Sequence, residues 1–154
     1  MKKILIILML LILSGCNNTK TGNEPVNNIK SSGKLTCIYK SQNYNEKTTY
    51  TSYYIYNFDK NGILRGLTNH EEISFDKSKE DIKKKYKESI EEVIKEYKGI
   101  DGIMVETMYE DNKYYFEVKV DKSKLSEDLY KDYYLDEDRI TLYNLFESKQ
   151  YTCE

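Results

Sequence analysis

The amino-acid sequence predicts one α+β domain, a mainly antiparallel sheet of about five strands with helices packed on one face, in the order βββ-α-ββ-α-α. Two groups of strand-like segments, rich in alternating apolar residues and joined by turn residues, predict hairpins. One long segment between them has apolar residues at helical spacing. The chain has 154 residues, which is enough for one domain after a leader is set aside.

The first three strands are predicted in the N-terminal half of the domain. Leu35, Cys37 and Tyr39 alternate with other residues, and residues 49–58 are dense in Thr, Tyr and Ile, which favour strands. Asp-Lys-Asn-Gly at residues 59–62 suits a hairpin loop, since Asn and Gly tolerate a positive φ. A third strand is therefore expected from residue 63 to about residue 73.

The longest helix is predicted to begin at Ser78 and to end at Gly99 and Gly102, because apolar residues recur at intervals of three and four between these points. Alternation then predicts a second hairpin, with strands near residues 103–109 and 114–120 joined at Asp-Asn. Two short helices are expected after it, over residues 124–134 and 141–149. Since only hairpins join neighbouring strands, the sheet should be mainly antiparallel.

The N-terminus has the pattern of a secretory leader. Met1 and two lysines precede an unbroken apolar run over residues 4–13. As a helix this run is about 15 Å long, half of the roughly 30 Å hydrocarbon core of a bilayer, so it is too short to span a membrane. We therefore expect a cleaved signal peptide over residues 1–15.

The leader ends in Leu13-Ser14-Gly15-Cys16, which resembles the bacterial lipobox. The resemblance implies a diacylglyceryl group on Cys16, cleavage before that residue, and a place on the extracytoplasmic face of the cell membrane. An ordinary secretory leader with a chance cysteine is the alternative. Residues 16–33 are polar and rich in turn residues, which predicts a lipidated cysteine followed by a flexible tether. Residues 34–154 are expected to form the single α+β domain.

The net charge argues against nucleic acid as a partner. Lys2 and Lys3 precede Cys16 and all 26 acidic residues follow it, so the part after the leader has 22 basic residues and a net charge of −4. Binding to nucleic acid draws its affinity from basic surfaces that displace counterions. We expect the membrane as a partner through the lipid, with an envelope protein, a wall polymer or a small ligand as further candidates.

The domain resembles the YehR-like family of small bacterial lipoproteins, whose molecular function is not established. The resemblance lies in the lipobox, the long charged helix, the strand that starts at Gly102-Ile103-Met104-Val105, and the Leu-Thr-Cys and Tyr-Thr-Cys triplets that end at Cys37 and Cys153. It implies an α+β fold in the cell envelope, and it transfers no catalytic residue to this chain.

A disulfide between Cys37 and Cys153 is predicted once Cys16 is assigned to the lipid, because only these two cysteines remain. Exported domains lie where disulfides persist. Two buried free thiols are the alternative, since a reduced cysteine packs well as a small apolar side chain.

His70 is the single histidine of the chain and precedes Glu71 and Glu72. A zincin-type site needs a second histidine four residues later, where Ser74 stands. His70 and Glu72 share a face of the predicted strand, but two side chains do not make a metal site. We expect a solvated strand histidine, with no metal and no other cofactor.

Asn57, Asp59, Asn61 and Gly62 are similar to the first half of a calcium-binding loop. The bidentate acid that such a loop needs six residues after its glycine is replaced by Thr68, so a hairpin turn is the better interpretation.

A cluster of tyrosines offers one candidate for a binding site. Tyr50, Tyr54 and Tyr56 share one face of a predicted strand, and Tyr53 points to the other. An aromatic platform for a glycan or a peptide is one interpretation. Ordinary packing in the core or on the surface is the favoured one.

The chain has no nucleophile elbow, phosphate-binding loop or Cys-His pair, so we expect no catalytic residues and no enzyme. We expect a membrane-anchored envelope lipoprotein whose domain is a non-catalytic binding or structural module. The alternative is a hydrolase or metal-dependent envelope enzyme that uses an unrecognised site near His70.

Overall fold

The computed structural model describes residues 32–76 and 80–154, which form an α+β fold around one six-stranded antiparallel sheet. The predicted signal peptide, Cys16, most of the predicted tether and the helix start at Ser78 lie outside the described residues. The strands are β1 Gly33–Asn43, β2 Thr48–Phe58, β3 Leu64–Phe75, β4 Ile103–Glu110, β5 Lys113–Asp121 and β6 Thr152–Cys153. The helices are α1 Glu80–Tyr97, a 3₁₀ helix Glu127–Tyr133 and α2 Arg139–Ser148.

The strand order is β4-β5-β3-β2-β1-β6, and every neighbouring pair is antiparallel. The two predicted groups of strands join into one sheet through the pairing of β3 with β5. In the chain, α1 and β4 lie between these two paired strands. The expected class and the antiparallel pairing are confirmed. The expected count of five strands is wrong, because β6 adds a sixth strand at the edge.

Side chains of alternate residues divide the sheet into two faces. The inner face carries the buried residues, including Leu35, Tyr56, Ile73 and Val118. Helical rings contact the sheet on this face: Tyr86 of α1 lies 5.7 Å from Phe75, and Phe146 of α2 lies 4.7 Å from Tyr54, between ring centroids. The helices therefore pack on the inner face, as the period-2 pattern of the strands requires.

The two C-terminal helical segments differ from the expectation in type and bounds. The segment expected over residues 124–134 is a 3₁₀ helix of seven residues, which ends at Tyr134 in the left-handed conformation with φ 55°. Helix α2 begins after Asp138, whose carboxylate accepts a hydrogen bond from the Thr141 amide at 2.8 Å. This cap satisfies one of the free amides of the first turn and fixes where the helix begins.

Cys37 and Cys153 form the disulfide that the sequence predicts, with their Cα atoms 4.1 Å apart. The bond joins β1 to β6 at positions that are directly paired in the sheet. Thr36 and Glu154 exchange two backbone hydrogen bonds of 2.9 Å beside it. Tyr151 is buried against Phe146, with ring centroids 5.0 Å apart, so the C-terminal segment is held by packing as well as by the disulfide.

Candidate functional site

The outer face of the sheet is the candidate functional site, because no described helix packs on it. Register places Ile38, Tyr53, His70, Glu117 and Glu106 in one row across β1, β2, β3, β5 and β4 on this face. Antiparallel sheets commonly leave one face to water, and such a face normally carries polar residues. Here its centre carries partly buried apolar and aromatic side chains.

Three rings form an aromatic row on the outer face. The His70 ring lies between Tyr53 and Tyr115, with centroid distances of 5.6 and 5.2 Å. His70 Nδ1 lies 3.4 Å from Glu117 Oε2, and the histidine side chain is 25% exposed. Adjacent strands supply the three rings, so each ring is fixed by the ladder of the sheet. The expected solvated histidine is therefore a half-buried member of an aromatic surface.

A groove of about 420 Å³ opens at one end of the outer face, and its lining includes Asn57, Thr68, Met104, Lys119 and Asp121. Its volume falls in the range of small-molecule sites, about 300–1,000 Å³.

Gly66 lies in β3 next to residues that line the groove, where it pairs with Asn57 on one side and with Asp121 on the other. A Cβ atom at Gly66 would lie 2.4 Å from the carbonyl oxygen of Val120, so a larger residue does not fit without displacing the backbone.

Several charged side chains of the outer face are paired with one another. The Lys119 ammonium lies 2.7 Å from a carboxylate oxygen of Glu117 and 3.3 Å from one of Glu106, and Lys113 lies 3.2 Å from Glu72. Partial burial raises the pKa of the Glu117 carboxyl, but Lys119 and His70 outweigh this effect and hold that pKa below its usual value. These ion pairs neutralise one another, so this part of the face has no large excess of positive or negative charge.

Tyr50, Tyr54 and Tyr56, the tyrosines considered as a binding platform, lie on the inner face and are at most 9% exposed. Tyr54 and Tyr56 both contact the Phe146 ring of α2. Packing in the core is therefore what these three rings do, and the platform interpretation is wrong for them. The fourth tyrosine of the cluster, Tyr53, is the one that faces outward.

A buried acid lies among these core tyrosines. Glu71 on the inner face is 7% exposed and accepts a hydrogen bond from the Tyr50 hydroxyl. Burial raises the pKa of the Glu71 carboxyl, while hydrogen bonds from Tyr50, Asn69 and Ser52 lower it by less. Burial and the nearby Glu71 in turn raise the pKa of the Tyr50 hydroxyl. The cluster is enclosed by the core and is not open to a ligand.

The other candidate motifs have structural roles in the described residues. Asp59 accepts hydrogen bonds from the amides of Asn61 and Ile63 at 2.8 and 3.0 Å, and it pairs with Arg65 at 2.5 Å. These bonds close the β2–β3 turn. Within residues 32–76 and 80–154, no three His, Cys, Asp or Glu side chains lie close enough together to hold a metal ion.

Comparisons with known proteins leave the function of the chain unassigned. No protein-family model and no curated protein matches it. One solved structure, the NMR structure of a protein from Streptococcus pneumoniae TIGR4, is 12% identical, with 92% of this chain and 97% of that chain covered and a TM-score of 0.44. This likeness is distant. No helix of the described residues combines the length and the hydropathy needed to cross a bilayer.

Proposed function

We propose that this protein is a lipoprotein held on the extracytoplasmic face of the cell membrane by a lipid on Cys16, and that its domain is a non-catalytic binding module. The ligand lies on the outer face of the sheet. The observation that carries the proposal is the combination, on one face without a packed helix, of the Tyr53-His70-Tyr115 row and the groove lined by Asn57 and Thr68. Aromatic surface and convergent polar groups are typical of binding sites.

The anchor rests on the sequence. Leu13-Ser14-Gly15-Cys16 follows a charged and apolar leader, and the YehR-like resemblance also favours the cell envelope. Two or more acyl chains hold a protein stably on a membrane, so a domain tethered in this way meets envelope components at a high local concentration.

A binding module is favoured over an enzyme by the contacts of its titratable groups. His70, the residue on which the enzyme alternative depends, contacts two tyrosine rings and Glu117, and no serine, threonine or cysteine is among these contacts. A general base must reach the proton that it removes, and a nucleophile is normally within its hydrogen-bond distance.

Hydroxyl-radical footprinting of the protein on intact cells and after purification tests the proposal. Met104 is 52% exposed on the outer face, so it should be oxidised readily in the purified protein and less in cells, where a ligand covers the face. Tyr53 and Tyr115 should be protected in the same way. Tyr44, which is 77% exposed in the β1–β2 turn, is the control and should react equally in both samples. Equal oxidation of Met104 and of both tyrosines in cells and in the purified protein would contradict a ligand on this face.

A further inference from the structure

The polar groups of the groove are suited to ligands whose own groups both donate and accept hydrogen bonds. The Asn57 amide and the Thr68 hydroxyl each have donor and acceptor atoms. Both residues are partly buried and line the groove, and in residues 32–76 and 80–154 neither side chain makes a hydrogen bond. A ligand that covers these groups must replace the hydrogen bonds that they make with water. Sugar hydroxyls have this dual character.

The separation between the aromatic row and the groove suits an elongated ligand. Tyr53 and Asn57 are four residues apart on the same face of β2, which corresponds to about 13 Å along a strand. A ligand that fills the groove and also reaches the aromatic row is therefore longer than one monosaccharide. The faces of aromatic rings carry partial negative charge, and they attract the C–H groups of a sugar ring.

A peptide is a poor fit to this face. Peptides bind most sheets by adding a strand at an open edge, where main-chain groups find partners. The outer-face rings are on β2, β3 and β5, and each of these strands is paired on both sides. A peptide laid across them would leave many of its amides and carbonyls without partners, and each unpaired buried group costs about 1–3 kcal/mol.

An anionic polymer is disfavoured by the charges. Lys119 is neutralised by Glu117 and Glu106, and Lys113 by Glu72. Lys124 at the rim of the groove lies 3.6 Å from Asp121. Phosphate-rich chains need an excess of basic side chains, which this face does not have.

We infer that the ligand of the outer face is an uncharged glycan chain, with one sugar in the groove at Asn57 and Thr68 and neighbouring sugars against the rings of His70, Tyr53 and Tyr115. This inference rests on the proposed function and names the ligand class for the same site. The sugar hydroxyls form hydrogen bonds in the groove, and the sugar rings contact the aromatic row. Because the lysines of the face are paired with acids, they do not attract polyanions.

Calorimetry with the lipidated protein in detergent tests the inference. The probes are an N-acetylglucosamine tetrasaccharide, wall glycan strands stripped of peptide and phosphate polymers and with their lactyl carboxylates converted to amides, and polyphosphate as the anionic competitor. At least one neutral glycan should bind, and added salt should not weaken it, since no net charge is involved. Asn57→Ala and Tyr115→Ala should each weaken binding about tenfold, which is the effect of losing about 1.4 kcal/mol.

Matched variants separate ligand contacts from folding. Tyr115→Phe retains the ring and should bind within about threefold of the unaltered protein, and Tyr44→Ala, away from the face, should bind equally. Thermal melts check that Asn57→Ala and Tyr115→Ala are folded. If Tyr115→Ala does not fold, Asn57→Ala alone tests the binding. Binding of neither glycan, a salt-sensitive preference for polyphosphate, or full affinity in the folded alanine variants would overturn the inference. If outer-face protection on cells persists in any of these cases, the proposed function stands and only the glycan class fails.

Discussion

Glu71 and Glu72 are consecutive residues of β3 with opposite surroundings. Glu72 is on the outer face and pairs with Lys113, whereas Glu71 is in the core, where its hydrogen-bond donors are uncharged side chains. Burial raises the pKa of the Glu71 carboxyl in the folded protein, so the folded state holds this proton more tightly than the unfolded chain does. Its contribution to stability is therefore full below the unfolded pKa, near 4.3, and is lost as the pH rises through the folded pKa.

Glu71→Gln should consequently stabilise the domain at pH 8, because an amide accepts the Tyr50 hydrogen bond without a charge to desolvate. The expected gain is about 1–2 kcal/mol, or several degrees in Tm, and it should shrink toward pH 4. Glu72→Gln is the matched control, since it changes the same type of side chain on the solvated face, and its Tm should change little. Thermal unfolding monitored by circular dichroism between pH 4 and pH 8 measures both. An equal response of the two variants would show that burial of Glu71 is not the cause.

His70→Ala should leave the fold intact, since the side chain is only partly buried and the neighbouring backbone is held by ladder bonds on both sides. The loss of ring contacts with Tyr53 and Tyr115 should cost about 1 kcal/mol. The unaltered protein should bind no stoichiometric zinc. Elemental analysis showing one zinc per chain that disappears in His70→Ala would favour the metal-dependent alternative instead.

Gly99 and Gly102 follow α1 and have nearly the same backbone conformation, with φ 84° and 83°. They differ in their surroundings. A Cβ atom at Gly99 meets nothing within 4 Å, whereas one at Gly102 would lie 2.8 Å from the Leu125 amide nitrogen and 2.9 Å from the Asp121 carbonyl oxygen. Gly102 thus lets β4 start close to the end of β5, with the Asp121 amide bonded to the Gly102 carbonyl at 2.8 Å.

Alanine substitutions at the two glycines should therefore separate backbone strain from steric exclusion. Gly99→Ala should cost about 1–2 kcal/mol, which is the penalty for a left-handed conformation. Gly102→Ala adds a backbone clash to the same penalty and should cost at least about 2 kcal/mol more. Denaturant unfolding measures the difference. Equal losses in the two variants would mean that the chain after α1 relaxes freely at Gly102.

The disulfide between β1 and β6 closes a loop with a sequence separation of 116 residues. By the chain-entropy model such a bond contributes about 4–5 kcal/mol, an upper figure for a domain with a typical total of about 5–15 kcal/mol. Reduction, or Cys153→Ala, should lower the Tm by roughly 10 °C or more and leave the chain folded, since Tyr151 still packs on Phe146. Non-reducing mass spectrometry should find the linked Cys37 and Cys153 peptides. An unchanged Tm after complete reduction would contradict this contribution.

The sequence predicts local elements better than their assembly. Alternation is sufficient to find β1 to β5, and helical spacing is sufficient to find α1, because each pattern records which side chains are buried. Strand β6 has two residues, too few for any period, and only its pairing with β1 defines it. The face of the sheet on which the Tyr53 side chain lies follows from the alternation of side chains along the strand alone. The contact between His70 and Tyr115 does not, because it depends on the pairing of β3 with β5 across an intervening helix and strand.

At the scale of the whole molecule, the groove lies at the end of the sheet where the chain enters the domain. Strand β1 begins at Gly33, and Lys34 pairs with Asn57, which lines the groove. If the lipid is on Cys16, this end of the sheet is the one nearest the membrane. The residues between Cys16 and β1 have the polar composition of a flexible linker, whose root-mean-square reach is about 20–25 Å. The outer face would then meet its ligand close to the membrane surface.

Cys16→Ala tests the anchor on which this geometry depends. Lipid attachment requires a thiol, so the variant should take up no label from a palmitate analogue, whereas the unaltered protein should be labelled and should sediment with membranes. The variant should be released from the membrane if its leader is cleaved, because the lipid is the proposed attachment of the domain to the membrane. Otherwise it should remain in the membrane with its leader uncleaved. Ser14→Ala is the control, since it retains a small residue and the thiol, and it should be labelled normally. Equal labelling of Cys16→Ala and the unaltered protein would remove the lipid from Cys16 and, with it, the membrane-proximal position of the groove.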